Sequence, residues 1–221
     1  MNPSPSGALD IKFLEFFATP AFVATVPDAA AANETLKQVI LDRERHHPSL
    51  DLSNVGGWHS SIDMAEWGGP ALEQMLVVAR QVADGRTCLR SGRRAQVDWR
   101  VECWANINRR GGANKRHTHP GCFWSGTYYV DDGISDDLAA DIDADGEFVF
   151  HDPRGVAEGV ALPDHYAVQE TGAIGEPVLV RPRAGSMVLF PSWMPHAVRP
   201  YQGDCVRISI AFNLALPGGA T

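Results

Sequence analysis

The amino-acid sequence predicts a mainly β fold with flanking helices, a barrel-like sandwich with two N-terminal helices packed outside it. Three observations lead there. Apolar residues recur at helical spacing only within the first 95 residues. From about Val97 onward the spacing changes to period two, in short runs separated by Gly-, Pro- and Asp-bearing turns. Helices first and strands afterwards is the order expected when helices cover the outside of a closed or stacked sheet.

Each element follows from local chemistry. A short strand is expected over Phe22 to Val26. Pro27-Asp28 then opens a helix with Leu36, Val39, Ile40 and Arg43 at helical spacing, and Pro48 ends it because its ring disfavours helical geometry in the residue before it. The Gly- and Ser-rich stretch Asp51 to Ser61 reads as loop, with His59 in it as a hydrogen-bonded structural residue. A second helix begins near Pro70, carries Leu72, Met75, Leu76, Ala79 and Val82 on one face, and stops at Gly85.

The β region opens with Asp98 to Asn108, where Val101, Cys103, Ala105 and Ile107 share one face and Glu102, Trp104, Asn106 and Asn108 the other. Further strands are expected at Gly126 to Val130, Glu147 to His151, Pro177 to Arg181, Met187 to Pro191 and Arg207 to Leu214. Tyr128 and Tyr129 must straddle their sheet, so only one of them faces an interior pocket. Trp124 and Trp193 read as packing residues. The acidic segment Asp131 to Gly146 and the mixed segment Gly155 to Gly175 are loops placed to border a site mouth. The basic stretches Arg90 to Gln96 and Asn108 to Arg116 read as solvated loop, although Arg109, Arg110, Lys115 and Arg116 are also placed to receive an acidic substrate. These elements make one domain over 1–221, with 1–95 as helical support and 96–217 as the β core.

Bulk properties narrow the class. A length of 221 residues and a hydrophobic content of 44% suit one sizeable globular core. A formal net charge of -8 argues against nucleic acid as a partner, because phosphate backbones select basic surfaces. Cys88, Cys103, Cys122 and Cys205 neither pair as CxxC nor cluster, which excludes a structural zinc and reads as free thiols in a reducing compartment. No basic start leads into an apolar run, and no stretch of about 18 apolar residues is long enough to span a bilayer. The expectation is a cytoplasmic protein with a loose N-terminal tail and no membrane partner.

The chemistry is carried by His117-Thr118-His119, by His196 and by Arg207. Two histidines at i and i+2 on a strand point to the same face, so both can reach one ion. A third imidazole from a distant strand completes a set with open positions, which suits a redox-active iron better than a sealed zinc. His196 ends the apolar stretch Gly185 to Val198. In Arg207 to Asn213, Ile208, Ile210 and Phe212 alternate with Arg207, Ser209, Ala211 and Asn213. A guanidinium inside a barrel is costly unless it meets an anion, and its fork matches a carboxylate, with the Ser209 hydroxyl as a second donor. Asn106 and Asn108 either bond the co-substrate or cap the sheet.

At this point the chain resembles a bacterial and phage family of 2-oxoglutarate/iron(II) oxygenases of the double-stranded β-helix (jelly roll, cupin-like) superfamily. The strings that carry the resemblance are FFATPAFVATVP (16–27), SNVGGWHSS (53–61), WANINRRGGANKRHTHPGCFWSGTYYV (104–130), FVFHDPR (148–154), and the PHAV and RISIAFN segments. The resemblance implies an oxidoreductase that uses Fe(II), O2 and 2-oxoglutarate to hydroxylate an unidentified substrate. It makes His117 and His196 iron ligands and gives Arg207 and Ser209 the distal carboxylate of 2-oxoglutarate, and Asn106, from its place on the strand, is expected as a further co-substrate contact. No residue outside the iron and 2-oxoglutarate sites is implied to be catalytic.

One departure matters. The superfamily usually has Asp or Glu two residues after its first histidine, where this chain has His119. Either His117, His119 and His196 bind the metal together, which is the favoured set, or a carboxylate comes from elsewhere, with Asp152 the first candidate. Two further readings stay open. Gly111 before HTH, and Gly185, Pro191 and His196, resemble the two cupin motifs, but the first lacks its downstream glutamate and Trp193 replaces the glycine of the second. A three-histidine cupin that does not use 2-oxoglutarate is one alternative, and a non-catalytic metal-binding module is the other.

Overall fold

The computed structural model describes residues 17–134, 146–155 and 175–218. Among these, three helices and eleven strands form two sheets. The strands are β1 (Phe22–Thr25), β2 (Asn54–Val55), β3 (Trp58–His59), β4 (Arg100–Asn108), β5 (Ala113–His117), β6 (Trp124–Asp131), β7 (Phe148–Phe150), β8 (Val178–Val180), β9 (Ser186–Pro191), β10 (His196–Val198) and β11 (Arg207–Ala215). The helices are α1 (Ala30–His46), α2 (Met64–Trp67) and α3 (Gly69–Arg86). One sheet runs β1-β9-β6-β11-β4-β3 and the other β2-β5-β10-β7-β8, with antiparallel pairing in both. This is the expected mainly β jelly roll with helices outside.

Period-two patterning decides what each face does. On β11, Ile208, Ile210, Phe212 and Leu214 join Cys103, Ala105 and Ile107 of β4 and Tyr128 and Val130 of β6 in a core closed by Leu36 and Ile40 of α1 and Leu72, Met75, Leu76, Ala79 and Ala83 of α3. The opposite face of the same sheet contributes Tyr129, Val188 and Phe190 to a smaller cluster with Phe148, Phe150 and Met194. The helices therefore cover one side of the six-stranded sheet and leave the other for the space between the sheets. The tyrosines separate as expected: Tyr128 lies on the helix side and donates to Asn33 Oδ1 at 2.5 Å, and Tyr129 faces the interior.

The helix boundaries follow the expected punctuation. His47, just before Pro48, is extended (φ -134°, ψ 133°) and ends α1, and Pro70 lies in the first turn of α3. Several expectations need correction. The stretch 113–116, expected to be solvated loop, belongs with His117 to β5. Its Ala-Asn-Lys-Arg-His has no apolar alternation and is held as a strand by pairing with β10 and β2. The stretch 51–61 contains the two-residue strands β2 and β3, and α2 was not anticipated. His196 does not end the apolar strand β9. It opens β10, which belongs to the other sheet, with the Ser192-to-Pro195 turn crossing between them. Trp124 is buried as expected, whereas Trp193, on that turn, is exposed. The expected loops over 131–146 and 155–175 and the N-terminal tail lie largely outside the described residues. The four cysteines are free thiols, and among the described residues no helix is long and apolar enough to cross a membrane.

Sheet and core meet most tightly at Gly126, where an added Cβ would fall 2.3 Å from the Phe212 ring and 2.8 Å from the Val188 carbonyl oxygen. Overpacking of this kind costs about 1–3 kcal/mol, so Gly126→Ala should lower the stability measured by urea denaturation by that amount. Phe212→Ala should cost about 3–5 kcal/mol. The double variant should lose less than the two losses added together, because the cavity left by the ring receives the new methyl group.

Candidate metal centre

β10 brings the histidines together. It sits between β5 and β7, and its register sets His196 opposite His117 on one side and Phe150 on the other. His119 lies two residues past the end of β5, so it reaches the same point from a turn and not from the strand face expected for it. Its backbone N–H donates to the Ser192 carbonyl at 2.9 Å, which ties this turn to the β9–β10 crossing. The three imidazoles end within reach of one another: one ring nitrogen from each of His117, His119 and His196 lies within 4.8 Å of the other two.

Backbone carbonyls orient two of the rings. His117 Nδ1–H donates to the Lys115 carbonyl at 2.7 Å, and His196 Nδ1–H to the Met194 carbonyl at 2.9 Å. Each bond commits the proton to Nδ1 and leaves Nε2 with a free lone pair. His119 Nε2 stands 3.3 Å from His196 Nε2. Two nitrogens that share a metal at ordinary imidazole bond lengths are separated by roughly 3.0–3.4 Å, so this spacing fits common ligation. Burial pushes all three rings below the usual histidine range, His119 to about 4 and His196 to about 3, and for those two the neighbouring imidazoles add to the effect. The cluster is therefore neutral at physiological pH, the form in which imidazole binds metal.

Asp152 does not join the group. Its carboxylate accepts from Arg154 Nε at 2.9 Å and Nη2 at 2.5 Å, and from the Arg154 backbone N–H at 2.9 Å. These bonds, led by the one from the guanidinium, hold its acid pKa down at about 2. Among the described residues the three histidines are the one group with metal-ligand geometry.

The pairing of β4 with β11 measures depth along the interior. From the inner end outward, the inward-facing rungs are Asn108 with Arg207, Asn106 with Ser209, Trp104 with Ala211, and Glu102 with Asn213. The histidines sit beside the third rung, with the Trp104 ring 5.6 Å from that of His119. Asn106, Ser209, Thr127 and Tyr129 line the cavity between the sheets together with His117, His119 and His196. Arg207 does not itself line that cavity but lies behind its wall. Its guanidinium stacks on the Tyr129 ring at 4.8 Å and reaches Asn108 Oδ1 only at 3.5 Å.

The residue is 4% exposed, forms no ion pair among the described residues, and leaves Nη2 buried with no partner. Asn106 Oδ1 is likewise buried and unpartnered. Buried polar atoms without partners are rare and costly, and here they flank a metal-competent cluster.

Sequence reasoning left His59 as a structural residue. It is buried, donates Nδ1–H to the Ser60 carbonyl at 2.6 Å, and stacks on Trp104 with ring centroids 5.7 Å apart. It also lines an outer groove, of about 600 Å³, that shares Ser53, Trp104, His117 and His119 with the inner cavity. No signal in the sequence set it apart, because its place depends on the β3–β4 pairing.

Comparisons with known proteins bear on this region. A family model described as "Putative 2OG-Fe(II) oxygenase" matches residues 102–213, from the Glu102 rung to the Asn213 rung. No curated protein sequence matches the chain. Three solved structures share the fold. A prolyl hydroxylase from Trichoplax adhaerens, in complex with a hypoxia inducible factor oxygen degradation domain peptide fragment, superposes with a TM-score of 0.61 at 14% identity, over 88% of this chain and 83% of that one. A prolyl-4-hydroxylase from Pseudomonas putida gives 0.60 at 18%, over 90% and 94%. HygX from Streptomyces hygroscopicus, with nickel and 2-oxoglutarate bound, gives 0.55 at 14%, over 90% and 84%.

Metal titration of variants checks the cluster. His117→Ala and His196→Ala should each abolish stoichiometric iron(II) binding with the fold intact by circular dichroism, because two remaining imidazoles hold a labile divalent ion too weakly. His119→Ala should weaken iron binding far more than Asp152→Ala. The reverse order would move the third ligand to Asp152.

Proposed function

The chain belongs to the 2-oxoglutarate/iron(II) oxygenases, and on that premise we propose that His117, His119 and His196 hold the iron while Arg207, with Ser209 and Asn106, receives the distal carboxylate of 2-oxoglutarate. The protein is thus an oxidoreductase, and the reaction we assign to it is hydroxylation of a C–H bond in a second substrate. The observation that carries the co-substrate assignment is the unpartnered, buried Nη2 of Arg207, on the strand that also forms the cavity wall. A fixed cation with an unused N–H inside an apolar shell gains most from an anion with two acceptor oxygens.

When bound, iron(II) with 2-oxoglutarate supplies the oxidising power: dioxygen is reduced, one of its atoms becoming the substrate's new hydroxyl and the other entering succinate, with carbon dioxide released. The protein's own part is binding, orientation and exclusion of water. Burial keeps the imidazoles unprotonated, so their lone pairs need no proton removed before they ligate. The Lys115 and Met194 carbonyls fix two of the rings and raise their basicity as donors. Three neutral ligands leave the dication's charge uncompensated, which favours an anionic co-substrate beside it.

At the inner end Tyr129 backs the Arg207 guanidinium, whose presence in turn opposes the rise that burial causes in the phenol's pKa. Phe148 and Phe190 pack around His196, with ring centroids 5.3 and 4.7 Å away, and keep bulk water from that flank. Hydroxylation of this type asks no side chain for a general acid or base, which accords with a cavity whose ionisable groups are neutral imidazoles and one phenol.

Titration of 2-oxoglutarate into anaerobic iron-loaded protein tests the reading through the visible band of the chelate. Arg207→Ala should retain iron and lose about 2–4 kcal/mol of 2-oxoglutarate binding, the scale for removing one partner of a desolvated charged pair. Arg207→Lys should fall between, keeping the charge and losing the fork. Unchanged binding by Arg207→Ala would remove Arg207 as the anchor, and no binding by the wild type would leave a three-histidine centre with another co-substrate.

A further inference from the structure

The mouth of the site carries charges that the reactions above do not use. Glu102 and Asp51 line the outer groove, and so does Lys115. Glu102 belongs to β4 of the six-stranded sheet and Lys115 to β5 of the five-stranded sheet, so opposite charges stand on facing walls. Among the described residues none of these three side chains forms an ion pair or a hydrogen bond. Facing charges that do not close on each other are both available to a ligand.

The floor between them is polar and already ordered. Asn213, buried, accepts from Ser125 Oγ at 2.8 Å through Oδ1, which leaves its amide N–H groups to give. His59 has its Nδ1 proton committed to the Ser60 carbonyl, which leaves Nε2 as an acceptor. Burial holds this ring below the usual histidine range, so it is neutral. Glu102 and Asn213 share the rung beyond Trp104, on the side of the histidines away from Arg207. A molecule seated there has its near end at the metal cluster and its far end in the groove.

Resting on the iron and 2-oxoglutarate reading, we propose that the oxidised substrate binds in this groove and is a small zwitterion of the amino-acid class, its ammonium on Glu102 and its carboxylate on Lys115. A zwitterion pairs with both walls, whereas a purely cationic or purely anionic ligand gains from one wall and meets its own charge on the other. The groove's volume of about 600 Å³ is that of a small-molecule site.

The test uses the full chain loaded with manganese(II) and 2-oxoglutarate. Individual protein amino acids are titrated by calorimetry, and succinate formation is then measured with iron(II). At least one amino acid should bind and stimulate succinate formation. Glu102→Gln and Lys115→Met should each weaken that binding about tenfold, with 2-oxoglutarate affinity held within about twofold. The same amino acid with its carboxylate amidated, or its amine removed, should show a comparable loss.

Binding of 2-oxoglutarate with no amino acid bound overturns this inference and leaves the oxygenase reading standing. So does an amino acid whose affinity ignores both substitutions, or stimulation only by peptides. Failure to bind 2-oxoglutarate overturns both.

Discussion

Three imidazoles, one buried and two half-buried, converge on one point and sit there best uncharged, and much of the structure serves that constraint. Protonating any one of them would set a cation against two neighbours in a space with little water. The protein prevents this by burial, which outweighs the opposite pull of the backbone carbonyls that hold the Nδ1 protons of His117 and His196. The Nε2 lone pairs of His117 and His196 remain, and His119 Nε2 stands 3.3 Å from that of His196. Three ring nitrogens converging in this way make the cluster a candidate metal site.

Pairing within the five-stranded sheet makes that convergence possible. β10 is three residues long, yet it holds His196 between His117 of β5 and Phe150 of β7. Neither β5 nor β10 has the apolar alternation that would make it a strand alone, so each depends on the other and on the aromatic cluster of Phe148, Phe150 and Phe190 behind them. Site and sheet are therefore one cooperative unit. The six-stranded sheet contributes differently: α1 and α3 cover one face, which leaves the other free to carry Arg207, Ser209 and Asn106 inward at fixed intervals.

Those intervals give the interior a direction. Arg207 with its unpartnered Nη2 marks the inner end, the imidazoles sit beside Trp104, and Glu102 and Asn213 mark the outer end. A co-substrate anchored at one end and a second molecule entering from the other approach the metal from opposite sides. Short antiparallel strands in strict register can position two reactants in this way, because each rung is displaced from the next by a constant step.

The patterns that depend on the chain's own neighbours were legible in the sequence. The face of α1 with Leu36 and Ile40, the Pro-marked start of α3, the alternation along β4 and β11, and the separation of Tyr128 from Tyr129 all follow from side-chain periodicity and from proline geometry. His117 and His119 stood out as a pair at i and i+2, and His196 and Arg207 because their chemistry is rare beside apolar strands. What only the tertiary structure decided has no local signal. β5 is polar after Ala113, β2 and β3 are two residues each, and the crossing that moves His196 from the apolar strand into the other sheet is the four-residue turn Ser192 to Pro195. His59 and Glu102 gain their places from pairing partners distant in sequence. The place of Asp152 was likewise decided in space, where its carboxylate accepts from the Arg154 guanidinium. Periodicity records which side of an element is buried, but which elements meet is set by long-range hydrogen bonds and packing that no short window of residues contains.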